Sequence, residues 1–303
     1  MKPEPIVAKV LATPRSWRLW WLAARPRTLT MAATPVIVGT ALAWADGAER
    51  AWPVAMLALI VALLIQIGTN LHNDAADFER GNDTDERIGP PRVTAAGWAT
   101  PAAVKRAAMV AFAGAFVAGI YLVTVGGWPI LAVGLASMIA GWAYSGGPRP
   151  ISYTPSGELF VLAFFGVVAV AGSHFLQSKD FSLAAILAGL AVGGPAAAVL
   201  LVNNYRDLAG DMAVGRHTLA ALIGRGGSQL VYRLLVLLPF VLLGIIAALH
   251  SGALLALLAL PGALYLSRRL PAAGDAAGLN GLLAGTAKTQ LLFGLLLSIG
   301  VNL

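Results

Sequence analysis

Asn70 to Asp85 reads NLHNDAADFERGNDTD and closes an uncharged apolar run that begins at Trp52 and ends at Gly68. Within it, Asn70, Asn73, Asp74 and Asp77 recur at i, i+3, i+4 and i+7, one stripe of an α-helix. Four oxygen-bearing side chains of metal-binding type therefore point in one direction. Carboxylates at a bilayer edge are costly unless a cation or a polar substrate offsets them, so the stripe reads as a candidate active site.

The rest of the chain supports the membrane reading. Of 303 residues, 58% are hydrophobic and only 12% charged, with a mean hydropathy of +0.77. That excess of apolar surface is more than a soluble core hides. Long uncharged stretches, each near the roughly 20 residues that span about 30 Å of hydrocarbon, fall at 28–45, 52–70, 103–125, 128–144, 158–177, 181–203, 229–249, 252–267 and 282–302. The expected fold is an all-α bundle of nine transmembrane helices. It forms a single domain over 1–303 with residues 1–27 as a cytoplasmic leader, in which Trp17, Trp20 and Trp21 among arginines suggest an interfacial helix. No cleavable signal peptide is apparent.

Of the 21 Lys and Arg residues, only Arg50 and Lys179 fall on the side opposite the N-terminus, and Lys288 lies inside the ninth span. The remaining basic residues make the N-terminal side cytoplasmic and put the C-terminus opposite. The pI near 10.1 is thus explained by membrane orientation, and no nucleic-acid partner is implied. With no cysteine, disulfides, thiolate metal sites and cysteine nucleophiles are excluded.

A second acidic cluster, NNYRDLAGDMAVGRHT from Asn203 to Thr218, follows the sixth predicted span and again places Asn204, Asp207 and Asp211 at helical spacing. Both clusters open on the cytoplasmic side. Two carboxylate stripes interspersed with Arg80, Arg87, Arg92, Arg206 and Arg216 suit a polyanion held through a divalent metal. Hard oxygen ligands favour Mg²⁺, which binds through a few carboxylates plus substrate phosphates, while the arginine fork takes the free phosphate oxygens. A diphosphate bound at a membrane cavity fits a lipid substrate whose tail lies among apolar helices.

These residues carry a family resemblance. Asn73, Asp74, Asp77 and Asp83, paired with Asp207 and Asp211, resemble the NDxxD and DxxxD motifs of UbiA-type intramembrane prenyltransferases, over essentially the whole chain. The stretches ARPRTLTMAATPVIVGTALA, GNDTDERIGPPR and NNYRDLAGDMAVGRHTLAALIGR are most similar to the 1,4-dihydroxy-2-naphthoate branch of that superfamily. The resemblance implies a nine-helix fold with a central cavity open to the cytoplasmic side. It also implies Mg²⁺ on the two Asp motifs and transfer of a polyprenyl group from its diphosphate to an aromatic ring, in menaquinone biosynthesis at a bacterial inner membrane. After the fourth span the naphthoate branch carries a loop resembling PxPYGYxGLGE. Here it reads GPRPISYTPSGE, with Pro148, Pro150, Tyr153, Gly157 and Glu158 matching and Ile151, Ser152, Pro155 and Ser156 departing. A 4-hydroxybenzoate or other phenolic or quinolone acceptor therefore stays open.

The expected site thus comprises Asp74, Asp77, Asp207 and Asp211 as catalytic groups, with Asn73 and Asp83 joining them on the metal. Asn70, Asn73, Arg87, Arg92, Arg149, Tyr153, Asn204, Arg206, Arg216 and Lys288 are the substrate-binding candidates. Competing explanations are helix-to-helix hydrogen bonding for the asparagines, cytoplasmic charge bias for the arginines and snorkelling for Lys288. The four histidines form no spaced ligand set. No obligate protein partner is implied, only membrane lipid around the bundle. From a different functional class, a secondary transporter also uses intramembrane carboxylates, but on broken helices near the bilayer midplane.

Overall fold

The structure, a computed structural model, describes residues 14–83 and 91–303. Asp85, Glu86 and Arg87 of the acidic loop, and the first part of the leader, lie outside the described residues. Besides a short 3-10 turn at Ile151–Tyr153, eleven helical segments follow one another among the described residues: α1 (Ser16–Ala23), α2 (Pro26–Ala45), α3 (Trp52–Glu79), α4 (Pro101–Gly126), α5 (Trp128–Ser145), α6 (Gly157–Ser178), α7 (Leu183–Arg206), α8 (Leu208–Ala213), α9 (Leu219–Leu249), α10 (Ser251–Ser267) and α11 (Ala276–Gly300). No strand occurs among the described residues.

Eight of these helices are long and apolar enough to cross a membrane. The segment expected to be a further span, 252–267, forms the shorter helix α10, which begins as a 3-10 helix over Ser251–Ala259 and becomes α-helical only at Leu260–Ser267. The tighter first half follows His250, whose extended backbone ends α9. Large apolar side chains on the outer surface, such as Val110 at 72% and Val241 at 71% exposed, suit a lipid-facing perimeter. Helix α1 presents Trp17, Trp20 and Trp21 outward and buries Leu19 and Ala23, the two-faced pattern expected of an interfacial segment.

Local sequence explains the helix boundaries. Proline opens α2, α3, α4 and α5 in the first turn, where no intrahelical N–H is needed. Thr100, Thr218 and Asp275 cap α4, α9 and α11 by accepting hydrogen bonds from Ala103, Ala221 and Gly278 backbone N–H groups. Gly127 adopts φ of 70° to turn the chain sharply from α4 into α5.

Helix α6 is not uniform. Ala163–Val168 forms a π-helical turn, and Gly166 in that turn meets Gly189 and Gly193 of α7 backbone to backbone. A Cβ on Gly193 would lie 2.7 Å from the Leu162 carbonyl oxygen and 2.9 Å from Gly166 Cα. Gly193→Val is accordingly expected to separate α6 from α7 and destabilise the protein by about 1–3 kcal/mol or more. Gly281→Ala, with nothing within 4 Å of the new Cβ, should leave the thermal unfolding midpoint in detergent unchanged or slightly raised; equal midpoints for the two variants would refute the close approach.

At the far end from the acidic stripe, Asp46 accepts hydrogen bonds from His174 Nε2 (2.7 Å) and lies 3.2 Å from His250 Nε2. This cluster joins the ends of α2, α6 and α9.

Candidate active site

Helix α3 has 28 residues, about 42 Å at 1.5 Å per residue, and so overshoots a hydrocarbon layer of about 30 Å. Its overshooting end carries the stripe. Asn70, Asn73, Asp74 and Asp77 are all buried and all line one large cavity of about 770 Å³. Below them the same helix face continues through Gln66 to Ala62 and Ala58, so the cavity wall changes from oxygen and amide groups to small apolar ones. Such a cavity suits a molecule with a polar head and a hydrocarbon tail.

Asp77 is the centre of the polar end and is fully buried. One of its oxygens lies 2.5 Å from Arg92 Nη1, and the other accepts from Arg216 Nη2 at 3.0 Å and from Asn82 Nδ2 at 3.0 Å. Arg216 Nη1 reaches Asp211 Oδ1 at 3.2 Å, so one guanidinium joins the carboxylates of the two acidic clusters. The Arg216 guanidinium also lies 4.8 Å over the Tyr153 ring, and Tyr153 Oη is 2.5 Å from Asn82 Nδ2.

Charge and burial compete at these groups. Burial acts against the charged form of Arg216, but Asp77 and Asp211 overcome it and raise its pKa. Arg92 is raised in the same way by Asp77 and Asp83 against burial. For Asp211 burial dominates and pushes the carboxyl up, with Arg216 pulling the other way. Both arginines keep a buried Nε–H with no hydrogen-bond partner among the described residues.

Asp74 has different partners. Its carboxylate accepts from Val93 N at 3.2 Å, from Thr94 N at 3.1 Å and from the Thr94 hydroxyl. Its oxygens therefore hold the segment that carries Arg92. Asp83 lies 3.3 Å from Arg92 Nη1. Asn73 Oδ1 accepts from Arg25 Nη2 at 3.0 Å, while its amide donates to Ser145 Oγ at 2.7 Å and to Asp77 Oδ2 at 3.2 Å. Asn70 donates to the Ala24 carbonyl and to Thr28 Oγ1, both at 2.9 Å, which is the helix-to-helix role weighed above.

The second cluster is not one continuous stripe. Helix α7 ends at Arg206, the backbone turns at Asp207, and Asp211 sits on the separate short helix α8. Arg206 causes the local geometry: its Nε and Nη2 grip Asp207 at 2.7 and 2.6 Å, Nη2 also reaches Asn203 Oδ1 at 2.8 Å, and Nη1 reaches Asn280 Oδ1 of α11 at 2.7 Å. Asn203, Asn204 and Arg206 line the cavity. Among the described residues no three His, Asp or Glu side chains converge closely enough to hold an ion unaided.

Two substrate-binding candidates stand elsewhere. Lys288 is exposed on the outer face of α11, while Ala284 and Ala287 of that helix face the cavity. Helical rotation from Ala287 turns its neighbour outward. Arg149 is exposed in the loop after α5 and does not line the cavity.

Sequence reading passed over Arg25, Asn82, Ser145 and Asn280. Arg25 belongs by sequence to the basic leader, yet it has φ of 52° and lines the cavity. Its signal was the following Pro26, which disfavours helical backbone at the residue before it.

The profile of the UbiA prenyltransferase family matches residues 32–278. The chain belongs to the UbiA prenyltransferase family. It is 36% identical to the 1,4-dihydroxy-2-naphthoate octaprenyltransferase of Escherichia coli over 293 residues, 94% of this chain and 95% of that one. The Mycobacterium tuberculosis protein of the same name is 36% identical over 246 residues, 77% of this chain and 83% of that one. Among solved structures, a UbiA homolog from Archaeoglobus fulgidus bound to DMAPP and Mg²⁺ has a TM-score of 0.67 at 14% identity, covering 92% of this chain and 99% of that one. The fold is therefore that of UbiA proteins, and the chain is an integral membrane prenyltransferase. This displaces the transporter alternative.

Proposed function

We propose that this UbiA-family enzyme transfers a polyprenyl group from its diphosphate to 1,4-dihydroxy-2-naphthoate, a step of menaquinone biosynthesis. The observation that carries the donor half is the pair of unpartnered buried Nε–H groups on Arg92 and Arg216. Both arginines line the cavity, and a buried donor left unmade costs about 1–3 kcal/mol, a cost that a side-chain shift toward an arriving phosphate would relieve. The acceptor half is supported by the names of the relatives that are 36% identical.

Magnesium fits the donor set. Asp74, Asp77, Asp83, Asp207 and Asp211 stand among Arg25, Arg80, Arg92, Arg206 and Arg216, so the guanidiniums are already matched before a diphosphate adds further negative charge. Asp77 and Asp211, with Asp207, Asp83 and Asn73 beside them, would hold Mg²⁺ jointly with phosphate oxygens, the usual sharing for this ion. When bound, the ion neutralises charge on the departing diphosphate.

The chain's own groups do the rest. Arg92 and Arg216 donate to the phosphates, and Asp77 fixes both guanidiniums. Asp74 holds Arg92 in place through residues 93 and 94. Phe160, Phe164 and Phe165 line the cavity, with the first two stacked at 5.9 Å. They exclude water from the allylic cation that forms as the diphosphate leaves, and offer it their π faces. The electron-rich ring then attacks that cation, and the naphthoate loses its carboxylate as CO₂. The proposal includes one domain over 1–303 at the bacterial inner membrane, with the polar mouth and N-terminus cytoplasmic, the C-terminus opposite, and no obligate protein partner.

Purified protein with Mg²⁺, farnesyl or longer allylic diphosphates and a panel of aromatic acceptors tests this. Diphosphate release should stop on chelation with EDTA and return with Mg²⁺, and the naphthoate product should lack the carboxylate. A product that keeps its carboxylate, formed only from 4-hydroxybenzoate, would overturn the naphthoate assignment. The loop departures at Ile151, Ser152, Pro155 and Ser156 are why the panel includes it.

A further inference from the structure

Glu158 opens α6 in a position the diphosphate chemistry does not use. It is 4% exposed; its Oε1 accepts from Asn204 Nδ2 at 2.9 Å, and its Oε2 is buried with no hydrogen-bond partner among the described residues. A buried carboxyl with half its capacity unmet is expensive to keep for packing alone. Asn204 lines the cavity, and Glu158 stands behind it. A second unmet group from the same connection, the buried Ser152 hydroxyl, also belongs to a cavity-lining residue.

The consequence lies in which end of the Asn204 amide meets the substrate. Glu158 Oε1 faces the amide nitrogen of Asn204 and accepts from it, so the Asn204 carbonyl is left to the cavity. Among the described residues that carbonyl has no hydrogen-bond partner. A diphosphate brings only acceptor oxygens and is repelled by it. A ring hydroxyl brings a donor. The arginine end of the cavity, Arg25, Arg92 and Arg216, has the opposite polarity and suits the diphosphate.

We propose that Glu158 is a positioning residue that locks the Asn204 amide with its carbonyl toward the cavity, so that Asn204 accepts a hydrogen bond from a hydroxyl on the aromatic acceptor. This rests on the prenyl-transfer reading above. It assigns acceptor recognition to Glu158 and Asn204.

The test is Glu158→Gln, which keeps shape and packing but supplies an amide able to bond Asn204 in either orientation. Steady-state kinetics of the purified full-length enzyme should show KM for the aromatic acceptor raised about tenfold, equivalent to about 1.4 kcal/mol. KM for the prenyl diphosphate should stay within twofold and the melting midpoint unchanged. Combining Glu158→Gln with Asn204→Asp exchanges donor and acceptor across the pair, returns an acceptor oxygen to the cavity, and should bring the acceptor KM back to within about threefold of wild type. A silent Glu158→Gln, an equal rise in both KM values, or no rescue by the exchange overturns the inference while leaving prenyl transfer intact. Wild-type enzyme that prenylates no hydroxylated ring overturns the parent reading instead, and this inference with it.

Discussion

Asp77→Ala is expected to lower kcat for prenyl transfer by about 10³-fold, the upper range for removing one preorganised electrostatic group from an active site. Asp77 has no solvent exposure, and it is in contact with both Arg92 and Arg216. Truncation removes an anchor for the metal and leaves two guanidiniums repelling each other across an apolar gap. Breaking a buried ion pair from one side costs about 3–5 kcal/mol, so the alanine variant is also expected to melt earlier. Asp77→Asn separates the two effects. It retains an oxygen that can accept from Arg216 and Asn82, and should fold, yet it weakens the hold on a divalent cation. Turnover of Asp77→Asn within tenfold of wild type at saturating Mg²⁺ would refute the central place given to this carboxylate.

Most of this arrangement was legible in the chain because it is periodic. Asn70, Asn73, Asp74 and Asp77 share a helix face by spacing alone, and their place after an apolar run puts them at a membrane edge. The structure keeps all four on the cavity wall. What spacing could not give is the partner of each oxygen. Asp74 and Asp77 lie three residues apart on one stripe, yet Asp74 turns to the backbone of residues 93 and 94, whereas Asp77 meets the arginines. That division depends on where a distant segment returns.

The same limit applies to the second cluster. Helical periodicity carried Asn204, Asp207 and Asp211 onto one stripe, but Arg206 draws Asp207 aside and the helix ends there. Asn280 and Ser145 were invisible because each is a single polar residue on a distant helix that becomes part of the site only through tertiary contact. The 252–267 segment shows that apolar composition does not set helix type, since it starts as a 3-10 helix over Ser251–Ala259 and turns α-helical only afterwards.

The polarity of the cavity makes the last expectation the mirror image of the one at Glu158. Arg92→Ala should raise KM for the prenyl diphosphate by roughly 10–100-fold, the loss expected for a charge-assisted hydrogen bond of about 1.5–3 kcal/mol. KM for the aromatic acceptor should stay within twofold. Arg92 is 9% exposed, is tied by one nitrogen to Asp77 and Asp83, keeps its Nε–H unpartnered among the described residues and lines the cavity, so a substrate anion is the partner expected to complete it. Arg92→Lys should recover only part of the loss, because an ammonium supplies the charge but cannot hold Asp77 with one edge and a phosphate with another. High ionic strength should weaken donor binding less in Arg92→Ala than in wild type, since one screened attraction is already gone. If Arg92→Ala instead raised the acceptor KM and spared the donor, the diphosphate would lie at the Asn204 end, and the polarity assigned to the cavity would be reversed.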